Sequence, residues 1–146
     1  LPERVLGVEV PFSMTLADPA TGEVLPVPLI GAVDAIVAEA ERTVVWELKT
    51  AAKRWSTDQL EFDPQATAYA RAMRTEGRDD VRVKLLVATK TARPTVQVEE
   101  LPRNVGDERE LAATAASVLR AVDAGVDHPI RSWACRSCPW AGPCRS

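Results

Sequence analysis

No stretch of this chain approaches the roughly 18 consecutive apolar residues that a membrane span needs. Its start, Leu1-Pro2-Glu3-Arg4, lacks the basic, apolar and small-residue order of a signal peptide. Both absences point to a soluble cytoplasmic protein with no membrane partner. Positive charge is not in excess either: the formal charge is −3, so no whole-protein basic field draws nucleic acid to the surface. Histidine occurs once, at His128 in a turn before Pro129, and there is neither an internal repeat nor a low-complexity tract. What is present is a chain of 146 residues, 46% hydrophobic and 27% charged, enough for one domain with a core. Charge is unevenly spread. Residues 1–50 hold eight acidic and three basic side chains, residues 51–146 thirteen acidic and fifteen basic. A carboxylate-rich region beside a more basic flank suits a protein that needs a divalent cation before it approaches phosphate, although ordinary surface charge gives the same totals.

The pattern along the chain alternates between strand and helix. Val5 to Leu16 reads as a strand, followed by the turn cluster Asp18-Pro19-Ala20-Thr21-Gly22. Strands at about Val27 to Ala38 and Thr43 to Thr50 follow, joined by Glu39-Ala40-Glu41-Arg42, so a three-stranded meander is expected. Apolar residues then recur at helical spacing, which predicts a helix from Pro64 to Thr75 with Asp63 as N-cap. Val81 to Thr89 and Thr95 to Leu101 read as a hairpin, and Asp107 to Ala124 as a second helix ended by Gly125. Trp133 to Ser146, with three cysteines, two prolines and a glycine, predicts no regular structure.

Strand alternation places Glu47 and Lys49 on one face of their strand, with Val45 behind them and Val44, Trp46 and Leu48 opposite. On the preceding strand it groups Ala32, Asp34 and Ile36, and antiparallel pairing through the short turn brings Asp34 alongside Glu47. Two carboxylates inside apolar strands are costly to desolvate, and one lysine cannot neutralise both, so a divalent metal resolves the conflict. The same residues admit a purely structural reading. Asp34 would end a strand hydrogen bond, Glu47 and Lys49 would be a solvated pair, and Gln65 with Tyr69 would be a half-buried helix face. Glu9, in Val8-Glu9-Val10, is either a further acid at the site or an exposed alternating position. Trp46 and Trp55 read as packing residues, Trp55 with Lys53 and Arg54 alternatively as a DNA-facing edge.

These residues resemble the PD-(D/E)XK nuclease superfamily in its RecB-like exonuclease branch. Gly31-Ala32-Val33-Asp34 looks like a G-x-x-D motif, Glu47-Leu48-Lys49 like (D/E)-x-K, and Gln65-Ala66-Thr67-Ala68-Tyr69 like Q-x-x-x-Y, in the right order. The resemblance implies a restriction-endonuclease-like α/β fold, a mixed central sheet flanked by helices. It also implies that Asp34, Glu47 and the Leu48 carbonyl bind Mg²⁺ or Mn²⁺, with Glu9 as a further candidate ligand. Lys49 would position or activate water, and Gln65 and Tyr69 would contact DNA or brace the site. The branch's upstream histidine ligand has no counterpart here, since His128 lies far downstream.

All three cysteines fall in Cys135-x2-Cys138-x5-Cys144, a spacing that argues for metal over a disulfide, which would leave one thiol unpaired. The segment resembles the carboxy-terminal iron–sulfur motif of AddB-type and CRISPR-associated adaptation nucleases, with a fourth cysteine supplied from upstream. A [4Fe–4S] cluster or Zn²⁺ is thereby implied, as a structural clamp closing residues 133–146 onto a nuclease core of residues 1–132. Because the chain does not begin with Met, an upstream helix carrying the missing histidine and cysteine is expected. The expected activity is metal-dependent hydrolysis of DNA phosphodiester bonds, exonucleolytic, in recombination, repair or phage processing with a helicase or recombination partner. Rival readings are a non-catalytic DNA-binding scaffold and a structural metal-binding interaction domain.

Overall fold

The computed structural model describes residues 4–40, 42–78, 80–126 and 131–145, so His128 lies outside the described residues. Strands β1 (Arg4–Met14), β2 (Leu29–Glu39), β3 (Arg42–Ala51), β4 (Val81–Thr89) and β5 (Val96–Leu101) form one sheet in that order. Every neighbouring pair is antiparallel except β3 with β4, which is parallel. Parallel strands need a crossover, and here it consists of α1 (Thr57–Glu61) and α2 (Pro64–Thr75). After β5 comes α3 (Val105–Asp123). The expected mixed α/β sheet with helices is therefore present. Helix α2 packs on β1, β3 and β4, and α3 packs outward against α2.

Local chemistry sets the element ends. Pro26 and Pro28 lack the N–H a ladder requires, so β2 begins at Leu29, two residues later than alternation predicts. After β1 the chain turns through Gly22, at φ 79°, and closes with an Ala17 to Val24 bridge. Asp63 caps α2 by accepting from the Gln65 N–H at 3.0 Å, as predicted. Helix α3 starts at Val105, two residues before the predicted Asp107, because Asn104 caps it: Asn104 Oδ1 accepts from the Gly106 N–H at 2.6 Å, and Asp107 Oδ2 accepts from the Asn104 N–H at 2.7 Å. Helix α1 has only five residues, too few for its period to show in the sequence. The cysteine segment, expected to lack regular structure, contains two short 3₁₀ turns, Trp133–Arg136 and Pro143–Arg145.

The core lies between the sheet and α2. In β4, Val81, Val83, Leu85 and Val87 alternate strictly with more exposed neighbours, and they meet Val33, Val45, Tyr69 and Met73 in one cluster. Each such side chain contributes about 1.5–3 kcal/mol through burial. Alternation fails at one place. Val33 and Ile36 both face this cluster although three residues apart, so β2 changes face across Asp34 and Ala35. On β1, Glu9 occupies the gap between the pairs Val8 with Ala35 and Val10 with Val33, at φ 51°. The predicted grouping of Ala32, Asp34 and Ile36 on one face is thus replaced: Ala32 is exposed, and the strand twists where Asp34 stands. Such local irregularities re-aim side chains and recur next to functional sites.

Candidate active site

The β2–β3 ladder runs from Glu39 opposite Arg42 to Ala35 opposite Trp46 and stops there, while β3 and β4 stay paired as far as Ala51. Continued by one step, the register would set Asp34 against Glu47. Instead the strands part, and Asp34 Oδ2 accepts the Leu48 N–H at 2.7 Å. One Asp34 oxygen therefore does terminate a strand hydrogen bond. Because the N–H and C=O of a strand residue point the same way, the Leu48 carbonyl also faces the opening between β2 and β3. The Leu48 side chain lies on the other face, 56% exposed.

Glu47 is only 4% exposed, which excludes a solvated pair with Lys49. Its Oε1 pairs with Lys49 Nζ, and the same ammonium donates to Gln65 Oε1. Gln65 Nε2 donates to the Tyr69 hydroxyl at 2.6 Å, and that hydroxyl donates to the Ala32 carbonyl at 3.0 Å. The amide orientation of Gln65 is therefore fixed by its neighbours at both ends. Gln65 and Tyr69 share a face of α2 by their spacing of four. The start of α2 is held in place by Arg103, whose guanidinium donates to the Leu60 carbonyl at 2.8 Å, the Asp63 carbonyl at 3.3 Å and Thr67 Oγ1 at 3.1 Å.

Glu47 Oε2, by contrast, is buried with no hydrogen-bond partner among the described residues. Burial pushes the Glu47 carboxyl above its ordinary range, the Lys49 hydrogen bond, the nearby Tyr69 hydroxyl and the Lys49 charge pull it back, and the Asp34 carboxylate adds to the rise. Burial likewise raises the Tyr69 phenol, helped by the hydrogen-bonding proximity and charge of Glu47, so Tyr69 stays protonated. An orphaned carboxylate oxygen, a second carboxylate and a main-chain carbonyl at one opening are the donor set of a hard divalent cation, so these residues fit Mg²⁺ or Mn²⁺. Lys49, already bound to Glu47 and Gln65, could not satisfy both acids.

The structure thus brings together Asp34, Glu47, Leu48, Lys49, Gln65 and Tyr69. It leaves Glu9 exposed on β1, beside Asp34 but in no cluster with the two carboxylates. The cysteines are free thiols, Cys135 half-buried and Cys138 and Cys144 exposed, and among the described residues no three His, Cys, Asp or Glu side chains converge to hold a metal ion. Trp55 lies against the core as a packing residue, whereas half-buried Trp46 lies outside that cluster and its Nε1 donates to Glu39 at 2.7 Å. Sequence reasoning missed Phe12, whose ring meets Tyr69 edge-on at 5.9 Å between centroids. It also missed why position 31 is glycine. A Cβ there would lie 2.6 Å from the Phe12 ring. Burial of β1's Phe12 was legible from alternation; its contact with α2 was not.

A profile for the PD-(D/E)XK nuclease superfamily matches residues 2–145. The chain belongs to this superfamily. Nuclease-superfamily membership agrees with the mixed five-stranded sheet flanked by helices. Among solved structures, SSO0001 is 18% identical with a TM-score of 0.57, over 94% of this chain and 59% of its own. A candidate exonuclease from Eubacterium rectale is 17% identical with a TM-score of 0.56, over 95% of this chain and 51% of its own. At these identities the likeness is one of fold, and this nuclease-superfamily chain spans little more than half the length of either structure. No curated protein sequence matches it.

Proposed function

We propose that this chain is a divalent-metal-dependent deoxyribonuclease of the RecB-like exonuclease branch, acting on DNA in recombination, repair or phage DNA processing alongside a helicase or other recombination partner. The observation that carries the reading is Glu47 Oε2, a buried and unpartnered carboxylate oxygen beside Asp34 and Lys49. In this reading Asp34, Glu47 and the Leu48 carbonyl hold Mg²⁺ or Mn²⁺, with Glu9 as a further acid at its edge. The ion, when bound, supplies Lewis-acid stabilisation of the phosphate and a more acidic water. Lys49 orients the attacking water and offsets charge that grows on the phosphate. Gln65 holds the Lys49 ammonium, and Tyr69 holds Gln65.

The cysteine segment belongs to the same proposal. Residues 133–146 close onto the core of residues 1–132 around a metal bound by Cys135, Cys138 and Cys144 with a fourth ligand, a [4Fe–4S] cluster in preference to Zn²⁺. Visible charge-transfer absorbance after anaerobic purification supports the cluster, and zinc with no such band rejects it.

The deciding assay follows cleavage of end-labelled linear DNA and of circular DNA with Mg²⁺ or Mn²⁺, and with EDTA. Cleavage of the linear form that stops with EDTA and falls at least about 10²-fold in Lys49→Ala is expected. DNA binding with no cleavage under any metal would establish the scaffold reading instead.

A further inference from the structure

The cations at the two ends of the sheet are treated differently. At the end where β3 and β4 begin, three arginines each have an acid: Arg42 pairs with Asp80 at 3.0 Å, Arg78 with Glu76 at 3.9 Å, and Arg82 with Glu100 at 2.5 Å. At the end where β3 and β4 stop, the loop 52–56 carries Lys53 and Arg54 and the loop 90–95 carries Lys90 and Arg93, with no acidic residue in either. All four are exposed. Among the described residues Lys53, Lys90 and Arg93 have no ion-pair partner, and Arg54 has only a loose one, Glu99 at 3.6 Å, with 59% of its side chain exposed.

These two loops are separate in sequence and pinned together in space. The Lys90 N–H donates to the Ala51 carbonyl at 2.7 Å. Gln97 on β5 holds both main-chain groups of Trp55, accepting from its N–H at 2.8 Å and donating to its carbonyl at 3.2 Å. The Thr95 N–H donates to Thr89 Oγ1 at 2.9 Å, and Thr91 Oγ1 donates to the Arg93 carbonyl at 2.7 Å. Three unpaired cations and the loosely paired Arg54 therefore stand on an ordered edge. Ala51 is two residues beyond Lys49, about 7 Å at ~3.3 Å per strand residue. That matches roughly two nucleotides of rise in a stacked strand.

We infer that Lys53, Arg54, Lys90 and Arg93 form a phosphate-binding rim that guides the DNA backbone into the opening at Glu47 and Lys49. The inference deepens the nuclease reading and rests on it for the identity of the strand. It also gives the excess of cations after residue 50 a purpose: these four lie where flanking phosphates pass.

Binding of a fluorescent oligonucleotide is measured by anisotropy in EDTA across 50–200 mM salt, and cleavage kinetics are measured with Mg²⁺. In Lys53→Ala/Lys90→Ala the slope of log affinity against log salt falls by about 1.4 for a single strand or about 1.8 for a duplex, and KM rises about tenfold. Arg78→Ala/Arg109→Ala removes the same charge elsewhere and leaves the slope as in the unmodified protein. Equal effects from both pairs, or no DNA binding by the unmodified protein, overturn the rim. Binding that depends on the rim without any cleavage keeps it and overturns the nuclease reading.

Discussion

Replacing Glu47 with glutamine should make the metal-free protein more stable. The side chain is 4% exposed, one oxygen is tied to Lys49, and the other is buried with no hydrogen-bond partner among the described residues. Glutamine keeps the shape and removes the charge that burial disfavours. Lys49 keeps Gln65 as an acceptor and has 27% of its side chain open to water, so loss of its acid costs little. Glutamine still leaves one polar atom unpaired there, so only the extra desolvation cost of the charge is relieved, about 1 kcal/mol, a rise in Tm of about 3 °C for a domain of this size. The pH dependence has a definite sign. Because the folded-state carboxyl is held above its ordinary value, metal-free stability is full below that value and is lost as pH rises through the raised one. Above this window the metal-free protein carries the whole penalty, and Glu47→Gln lacks the slope. Divalent metal reverses the order, since at 100 times its Kd a bound ion adds about 2.7 kcal/mol to the unmodified fold and little to the variant. Thermal melts of both proteins at several pH values, in EDTA and in Mg²⁺ or Mn²⁺, test each step. A variant that melts below the unmodified protein in EDTA, or that gains as much from metal, would refute the reasoning.

Two other substitutions probe the support behind the site. In Gly31→Ala the new Cβ meets the Phe12 ring, which cannot retreat without moving Tyr69, so stability falls by about 1–3 kcal/mol in denaturant unfolding. The double variant Gly31→Ala/Phe12→Leu should recover much of that loss, and failure to do so would show that the ring is not the obstacle. Tyr69→Phe leaves Gln65 Nε2 and the Ala32 carbonyl without their shared partner, costing about 1–3 kcal/mol, and lowers kcat more than it raises KM because Lys49 loses its fixed acceptor. Unchanged kcat in a folded Tyr69→Phe protein would remove Tyr69 from the site's support.

Local rules carried most of the element boundaries. Alternation in Val81 to Thr89, the Asp63 cap with Pro64, and the four-residue spacing of Gln65 and Tyr69 depend only on neighbours in the chain, and α2 and β4 have the predicted bounds. Turn length joined β2 to β3 in the register that sets Asp34 toward Glu47. The face exchange at Asp34 was illegible, because alternation assumes a regular strand and this strand twists against Glu9. The 3₁₀ turns around the cysteines were missed because prolines and glycine hide short turns from any periodic pattern.

Sequence by itself determined which groups are available: two acids and a lysine inside apolar strands, a Gln and Tyr one helical turn apart, and an excess of cations after residue 50. Tertiary structure alone decided that the β2–β3 ladder ends one step short of Glu47, that Oε2 is left buried without a partner, and that Lys53 and Lys90 share one edge. The physical reason is range. Propensity, capping and alternation act within a few residues, whereas burial, desolvation and the meeting of distant loops exist only once the sheet has closed over α2.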